Sequence, residues 1–323
     1  MTTRERLLSI LKAHRGKWVS GEHLSSELRV SRSAVWKHVS WLKCKDYIIE
    51  SMPKKGYRLK EASSRMLPEE IREGLENNVF GKREIIHMDE VDSTNRMAKD
   101  LAIRGVPEGA LVIAEKQTRG RGRMDRDWFS PPGGGIYMTI VLRPSLPPAE
   151  APKITLLTGV ALAESLREIS RIEARIKWPN DIVIKGKKLA GILTELSAEI
   201  DAINFVLIGI GVNVNTGEFP ESVQETATSL LIETGQHFSR APLVRDFLSR
   251  FEAFYDESKG RGFDGIIRRW NGLTDTVGRK VRIDAVGREY TGEALRVDTD
   301  GALIIRDERG SLHRIVSGDV SLI

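Results

Sequence analysis

Leu7, Leu8, Ile10 and Leu11 recur at helical spacing, which predicts a first helix over residues 3–14. Ser20 is placed to cap a second, short helix carrying Leu24 and Leu28 on one face. After a turn at Arg29-Val30, Ser31 is placed to cap a third, whose apolar stripe is Val35, Val39 and Leu42. The opposite side of that helix holds Arg32, Ser33, Lys37 and His38. Strand-like runs follow at 47–51 and 57–59, joined by Pro53-Lys54-Lys55-Gly56. Three short helices and a basic hairpin predict a winged helix-turn-helix. Trp36 and Trp41 lie off the apolar stripe and are either packing or partner contacts. Ala62, Ser63, Ser64 and Pro68 make 62–69 read as a linker.

From Arg83 the rhythm shifts to strands, at 85–88, 111–115, 136–142, 176–178, 182–184, 189–196 and 205–212. Helical patterns fall between them at 96–104 and 151–169. Lys185-Gly186-Lys187 folds the middle strands into a hairpin. Hairpins with grouped helices predict α+β with a mixed sheet rather than a doubly wound one. Two amphipathic helices are expected at 242–255 and 265–270. After Gly272 come short strands at 281–283, 290–295, 303–305 and 313–316, with turns at Val286-Gly287, Asp300-Gly301 and Arg309-Gly310. That density predicts a small β-barrel. The expected domains are 1–65, 66–272 and 273–323.

A chain of 323 residues, 40% hydrophobic and 29% charged, can build two or three cores and is not a disordered chain. Its lone Cys44 excludes a disulfide framework and a cysteine-based zinc site. The six histidines show no ligand spacing, so no zinc is expected. No apolar run reaches the ~18 residues of a membrane span, and the charged start lacks a signal core. The expectation is a cytoplasmic protein with no membrane partner.

Charge separates the two ends of the chain. Residues 1–65 carry fifteen Lys/Arg against six Asp/Glu, or +9, within a chain of net charge +5; the rest is therefore −4. A basic head on a mildly acidic body points to a polyanion binder joined to something else. The helix N-terminus, Arg32, Lys37 and the wing pair Lys54/Lys55 suit phosphate, while the hydroxyls of Ser31 and Ser33 suit phosphate or base edges. His38 shares that face. The other reading is a protein-interaction domain with a solvated basic face. Charge excess, helix spacing and basic wing together favour DNA, read as half-sites by a dimer.

Chemistry concentrates in residues 117–128. Arg119, Arg121, Arg123 and Arg126 are interleaved there with Gly120 and Gly122, just after a strand. Glycine lets backbone approach a ligand, and arginine offers a fork of donors to phosphate or carboxylate. Such a loop is expected to be mobile when empty and ordered around an anion; otherwise it is an RNA-binding or solvated loop. No P-loop or dinucleotide fingerprint occurs. In Lys177-Trp178-Pro179-Asn180-Asp181 and Lys188-Leu189-Ala190-Gly191, hairpin geometry gathers Lys177, Asp181 and Lys188. Asp181 can hold Mg²⁺ and a lysine can neutralise developing charge, although any one lysine is as readily a surface charge. Gly209-Ile210-Gly211-Val212-Asn213 either admits a planar ring or is a tight strand exit.

In this order, Asp92-Ser93-Thr94-Asn95, Gly120-Arg121-Gly122-Arg123 with Trp128, the Lys177–Asp181 segment, Lys188 to Leu193 and Gly209 to Asn213 resemble the biotin–protein ligase family. The basic head resembles its bifunctional members, which also repress the biotin operon. The resemblance covers nearly the whole chain. It implies that ATP and biotin form biotinyl-5′-AMP, with Mg²⁺ as cofactor, and that biotin passes to a lysine of the biotin carboxyl carrier protein of acetyl-CoA carboxylase or another biotin-dependent carboxylase. It implies biotin contacts at Ser93, Thr94, Asn95, Gln117, Gly120, Arg121, Gly122, Arg123, Lys188 and Gly191. Nucleotide contacts are implied at Arg121, Arg123, Trp128, Lys177, Asn180 and Asn213, a metal at Asp181, and catalytic roles for Lys188 and Arg123. It further implies an SH3-like C-terminal barrel, operator DNA as a partner, and a homodimer whose corepressor is biotinyl-5′-AMP, built when the loop from Arg119 to Trp128 orders. Met124-Asp125 stand where some relatives carry Arg-Gly, so the loop exit is less basic. Relatives with a longer basic tail contact nucleotide from it, whereas this chain stops at Ile323. The alternatives are a regulator that only senses biotin, and an acyl-adenylate ligase for another acid.

Overall fold

The first three helices begin at side chains able to hold their free amides. Thr2 and Glu5 form a reciprocal capping box at α1 (Thr3–Ala13). Ser20 accepts from the His23 amide at 3.1 Å to start α2 (Gly21–Leu28). Ser31 accepts from the Ala34 amide at 3.2 Å to start α3 (Arg32–Cys44). Their apolar stripes close on one core containing Leu7, Leu11, Leu24, Leu28, Val35, Val39 and Leu42. The wing is an antiparallel pair, β1 (Ile48–Met52) and β2 (Gly56–Glu61). Gly56 has φ +96°, and a Cβ there would overlap the Val19 carbonyl. Only glycine lets Val19 and Tyr57 exchange their two backbone hydrogen bonds of 2.8 and 2.9 Å, which seat the wing.

The computed structural model describes residues 2–285 and 287–323. They divide into two units at Glu73/Gly74. The stretch 62–69 is therefore not a linker. Leu67 enters the head's core and α4 (Pro68–Arg72) begins beside it. Tyr47 donates to Glu70 at 2.5 Å, and Lys12 lies 2.7 Å from both Glu70 and Glu73. Burial, then the Glu70 charge, push the Tyr47 hydroxyl well above its ordinary pKa. Ser63, Ser64 and Pro68 masked Met66 and Leu67, the buried apolar residues between them.

The second unit is built on seven strands in the order β3-β4-β5-β9-β8-β7-β6. Their ranges are β3 (Ile85–Met88), β4 (Leu111–Ala114), β5 (Gly135–Leu142), β6 (Arg175–Lys177), β7 (Asp181–Ile184), β8 (Lys187–Ala198) and β9 (Ile203–Asn213). Only β3 and β4 run parallel, so the sheet is mixed as expected. Strand period two assigns its faces. Phe205 and Leu207 of β9 pack with Ala98 and Ala102 of α5 (Thr94–Ile103). On the other face, Gly159 of α6 (Ala151–Ser170) lets the helix settle onto Ile176 and Ile192. A short α7 (Leu230–Thr234) follows, and then α8 (Arg240–Arg261) and α9 (Asp264–Leu273), which pack on α6. The α5 face also carries Gly209, Gly211 and Asn213, which continue the alternation past the end of α5.

The C-terminal strands are β10 (Lys280–Ala285), β11 (Arg288–Val297), β12 (Leu303–Arg306), β13 (Leu312–Ile315) and β14 (Asp319–Leu322). They form an antiparallel sheet in the order β13-β12-β11-β10-β14. The expected barrel is corrected to an open sheet: among the described residues β13 and β14 do not pair. Strand spacing reports strand number, whereas closure depends on tilt and shear. Of the turn expected at Val286-Gly287, Val286 lies outside the described residues. Trp178 anchors this sheet to the larger one, its amide bonded to Thr276 Oγ1 at 2.9 Å and its indole to the Gly301 carbonyl at 3.1 Å. Among the described residues no helix is long and apolar enough to cross a membrane.

Candidate functional site

A cavity of roughly 540 Å³ opens on the α5 face of the large sheet, where three glycines replace side chains. A Cβ at Gly209 would overlap Asn95 Oδ1, and one at Gly211 would lie 2.5 Å from the Trp128 indole. One at Gly191, directly across from Gly211, would meet both Trp128 and Lys188 at 3.1 Å. The glycine run of β9 is thus a floor that lets Asn95 and Trp128 lie flat on the sheet. Of the two readings left open for this run, close approach of planar groups is the one realised.

One wall is the start of α5. Arg96 donates to Asp92 at 2.7 Å and holds its carboxyl below the usual range. Asp92 in turn accepts from the Ser93 amide at 2.7 Å, fixing the turn into the helix. Gln117 Oε1 accepts from the Thr94 amide at 2.9 Å and its hydroxyl at 3.1 Å, while Gln117 Nε2 donates to Ser130 at 3.1 Å. Thr139, buried in β5, donates to Asn95 Oδ1 at 2.6 Å and lies 2.9 Å from the Thr94 hydroxyl. Asn95 Nδ2 donates to Glu195 at 3.0 Å. Side-chain amides and hydroxyls are thereby aimed before any ligand arrives.

The arginine-rich loop is a folded turn. Arg121 and Asp127 form a bridge, the Gly122 amide donates to the Arg126 carbonyl at 2.7 Å, and the Trp128 amide donates to the Gly120 carbonyl at 2.8 Å. Its charges are partly answered internally. Arg121 pairs with Asp125 at 2.8 Å, and Arg126 pairs with Asp319 of β14. Arg123 reaches across the cavity, donating to Asn180 Oδ1 at 3.0 Å and to the Gly318 carbonyl at 3.2 Å. Asn180 is itself fixed by donating to the Ile192 carbonyl at 2.8 Å.

Opposite the loop, Lys188 Nζ lies 2.8 Å from Asp181 Oδ1 as an ion pair without hydrogen-bond geometry, and 5.3 Å from the Trp128 ring centroid. Ser93, Thr94, Asn95, Gln117, Arg121, Gly122, Arg123, Trp128, Asn180, Asp181, Lys188, Gly191 and Asn213 all face the cavity. Gly120 and Lys177 do not line it. Gly120 is buried behind the loop, and Lys177 lies on β6 opposite the backbone of Asp181. Residues not singled out from sequence also line it: Phe129, Phe219, Ser222, Val223, Thr226, Ala227 and Asp319. Thr139, behind the wall, had a visible signal, being a hydroxyl in a strand that is otherwise nearly all apolar. The 219–227 segment had none.

Asp181 is the carboxylate beside Lys188, and among the described residues no group of three His, Cys, Asp or Glu is placed to hold a metal. That donor set fits Mg²⁺ carried by phosphates, which needs only one or two protein carboxylates.

In the head, Arg32, Ser33, Lys37, Lys54 and Lys55 are exposed. Ser31 is occupied as the cap of α3, its hydroxyl 2.8 Å from that of Ser33. His38 is half-buried; burial, then the Arg4 charge, lower its pKa, so it is neutral at pH 7.

Residues 88–213 match the biotin/lipoate A/B protein ligase family, 3–58 a helix-turn-helix domain, and 276–323 the biotin protein ligase C-terminal domain. The chain is similar to the bifunctional ligase/repressor BirA of Bacillus spizizenii, at 39% identity over 99% of both chains. It is 32% identical to BirA of Escherichia coli over 95% of this chain and 94% of that one. Among solved structures, biotin protein ligase from Aquifex aeolicus in complex with biotin and ATP is 31% identical, with a TM-score of 0.65 over 75% of this chain and 99% of that one. On end-to-end similarity carried by all three of its parts, the chain belongs to the bifunctional biotin ligase/repressor family.

Proposed function

We propose that the chain condenses biotin with ATP to biotinyl-5′-AMP and pyrophosphate. It then transfers the biotinyl group to one lysine of the carrier domain of a biotin-dependent carboxylase such as acetyl-CoA carboxylase. With the adenylate bound it dimerises and represses transcription of biotin synthesis and uptake genes. The observation that carries this reading is the convergence of Lys188, Arg123, Asn95 and Gln117 on one glycine-floored cavity. In the first step a carboxylate oxygen of biotin attacks the α-phosphorus and pyrophosphate leaves. In the second, the carrier amine attacks the acyl carbon and AMP leaves.

Both reactants of the first step are anions, so their approach is opposed by repulsion. Arg123 and Lys188 supply fixed positive charge within one cavity, at no reorganisation cost. Ser93, Thr94, Asn95 and Gln117 hold biotin, and Gly191 gives it access to the sheet. Arg121, Trp128, Asn180 and Asn213 surround the nucleotide. Mg²⁺ held by Asp181 and the phosphates would neutralise charge on the triphosphate. The loop from Arg119 to Trp128 shields the mixed anhydride from water. The same loop, braced by its adenylate, presents the dimer surface, and two heads then meet a two-part operator. The protein works in the cytoplasm.

The test is pyrophosphate release with biotin, lipoate and fatty acids in competition, together with transfer of labelled biotin to a carrier domain. Biotin alone should drive release and labelling. Preference for another acid, or binding of biotin without label transfer, would sink the ligase reading. Sedimentation with and without biotin plus ATP tests dimerisation, and an unchanged mass would end that part.

A further inference from the structure

The head holds three tryptophans, and two are capped from within it. The Arg4 guanidinium lies 3.6 Å from the ring centroid of Trp41, and that of Arg58 lies 4.7 Å from Trp18. Trp36 is 60% exposed, and among the described residues no side-chain hydrogen bond, ring contact or guanidinium engages its indole. It lies on α3 one turn beyond Arg32 and Ser33 and beside Lys37, with Lys43 two turns on, so the exposed stripe is basic at both ends with an apolar plate between. Val35, Val39 and Leu42 fill the buried stripe, from whose centre Trp36 is turned by about 90°, which leaves the indole at the exposed flank.

The rim selects a polyanion, and the plate selects a polyanion that presents an apolar group within reach of a helix. Duplex DNA does so through the thymine 5-methyl in the major groove. Duplex RNA does not, because its major groove is too narrow for side chains to read and uracil lacks the methyl. Helical side chains lean toward the N-terminus, which directs Trp36 to the end of α3 that enters a groove. Among the described residues Arg32 is held only by Glu22 at 3.2 Å, and both side chains are exposed, so the pair gives way readily to phosphate.

We propose that Trp36 is a sequence-reading residue of the head and that its indole packs on a thymine methyl of the operator. The inference rests on the DNA-binding reading above and adds what is read.

The experiment uses the full chain with biotin and ATP. Binding sites are selected from a randomised duplex pool, and each thymine of the selected site is then replaced by deoxyuridine, which removes only the methyl. Wild type should lose about fourfold in affinity at one position per half-site, the worth of one buried methyl group. Trp36→Ala should bind the thymine and deoxyuridine duplexes equally, and Trp36→Phe should keep part of the difference. Lys37→Ala should weaken every sequence alike, flatten the salt dependence and keep the methyl effect. A Trp36→Ala chain with the full methyl effect, or a methyl-blind wild type that still binds its site, overturns the proposal alone. Absence of any salt-dependent duplex binding by wild type, including binding of an acidic protein instead, removes the DNA reading and the proposal with it.

Discussion

Arg240 and Glu115 form a buried ion pair, Nη2 to Oε2 at 2.7 Å, joining the start of α8 to the residue after β4. Arg240 Nη1 also donates to the Gly135 carbonyl at 3.0 Å, at the start of β5. One guanidinium therefore holds the strand that leads into the arginine-rich loop and the strand that leads out of it. His87 Nε2 lies 2.9 Å from Glu115 Oε1. Arg240→Met should destabilise the larger unit by about 3–5 kcal/mol, because a buried carboxylate loses its guanidinium. The double change Arg240→Met/Glu115→Leu should recover much of that. Denaturant unfolding checks both, and a single-variant loss under ~1 kcal/mol would show that the pair does not brace the loop.

Gly209→Ala places a methyl where Asn95 Oδ1 now lies. Asn95 must then leave Thr139, so biotin affinity should fall at least tenfold, or about 1.4 kcal/mol. Calorimetric titration with biotin measures it. Unchanged affinity would mean that Asn95 does not contact the vitamin.

Lys188→Ala removes the cation that pairs with Asp181 at the cavity wall. Adenylate formation should slow by on the order of 10² or more, as with loss of one preorganised donor. Single-turnover pyrophosphate release reads this step apart from transfer. A wild-type rate would remove Lys188 from the chemistry.

Arg123→Gly cuts the loop's two ties to Asn180 and Gly318. Free biotinyl-5′-AMP should then escape into solution faster than from wild type, measured by chromatography of the filtrate. Equal retention would show that the cavity, not this side chain, holds the intermediate.

His38 has a depressed pKa because burial and Arg4 disfavour its charged form. Below the ordinary value of 6.5 the unfolded chain binds this proton more readily than the folded one. Its contribution to the head's stability is therefore complete above about pH 6.5 and falls as pH drops through the folded pKa. His38→Gln should lessen that loss in thermal melts at pH 5 and leave melts at pH 8 little changed. An identical acid response in both proteins would dismiss His38 as the cause.

Much of this fold was written in local pattern. Ser20 and Ser31 cap where expected because a cap needs only its next three residues. Val35, Val39 and Leu42 are core because helical period alone puts them on one face. Likewise, Lys185-Gly186 turns the β7–β8 hairpin and so sets Lys188 near Asp181. The 62–69 stretch failed because composition weighs residues singly, and Leu67 finds its neighbours only after α1 to α3 have folded.

By itself, then, the sequence determined the elements, their order, the basic head and the residue types of the site, since all of these follow from neighbours a few positions apart. Tertiary structure alone decided that Asp319 and Gly318 meet the arginine loop nearly two hundred residues away, that Lys177 stays outside the cavity while Asn180 enters it, and that the last sheet remains open. Those outcomes depend on sheet register and on which strands become neighbours, and no local periodicity encodes either.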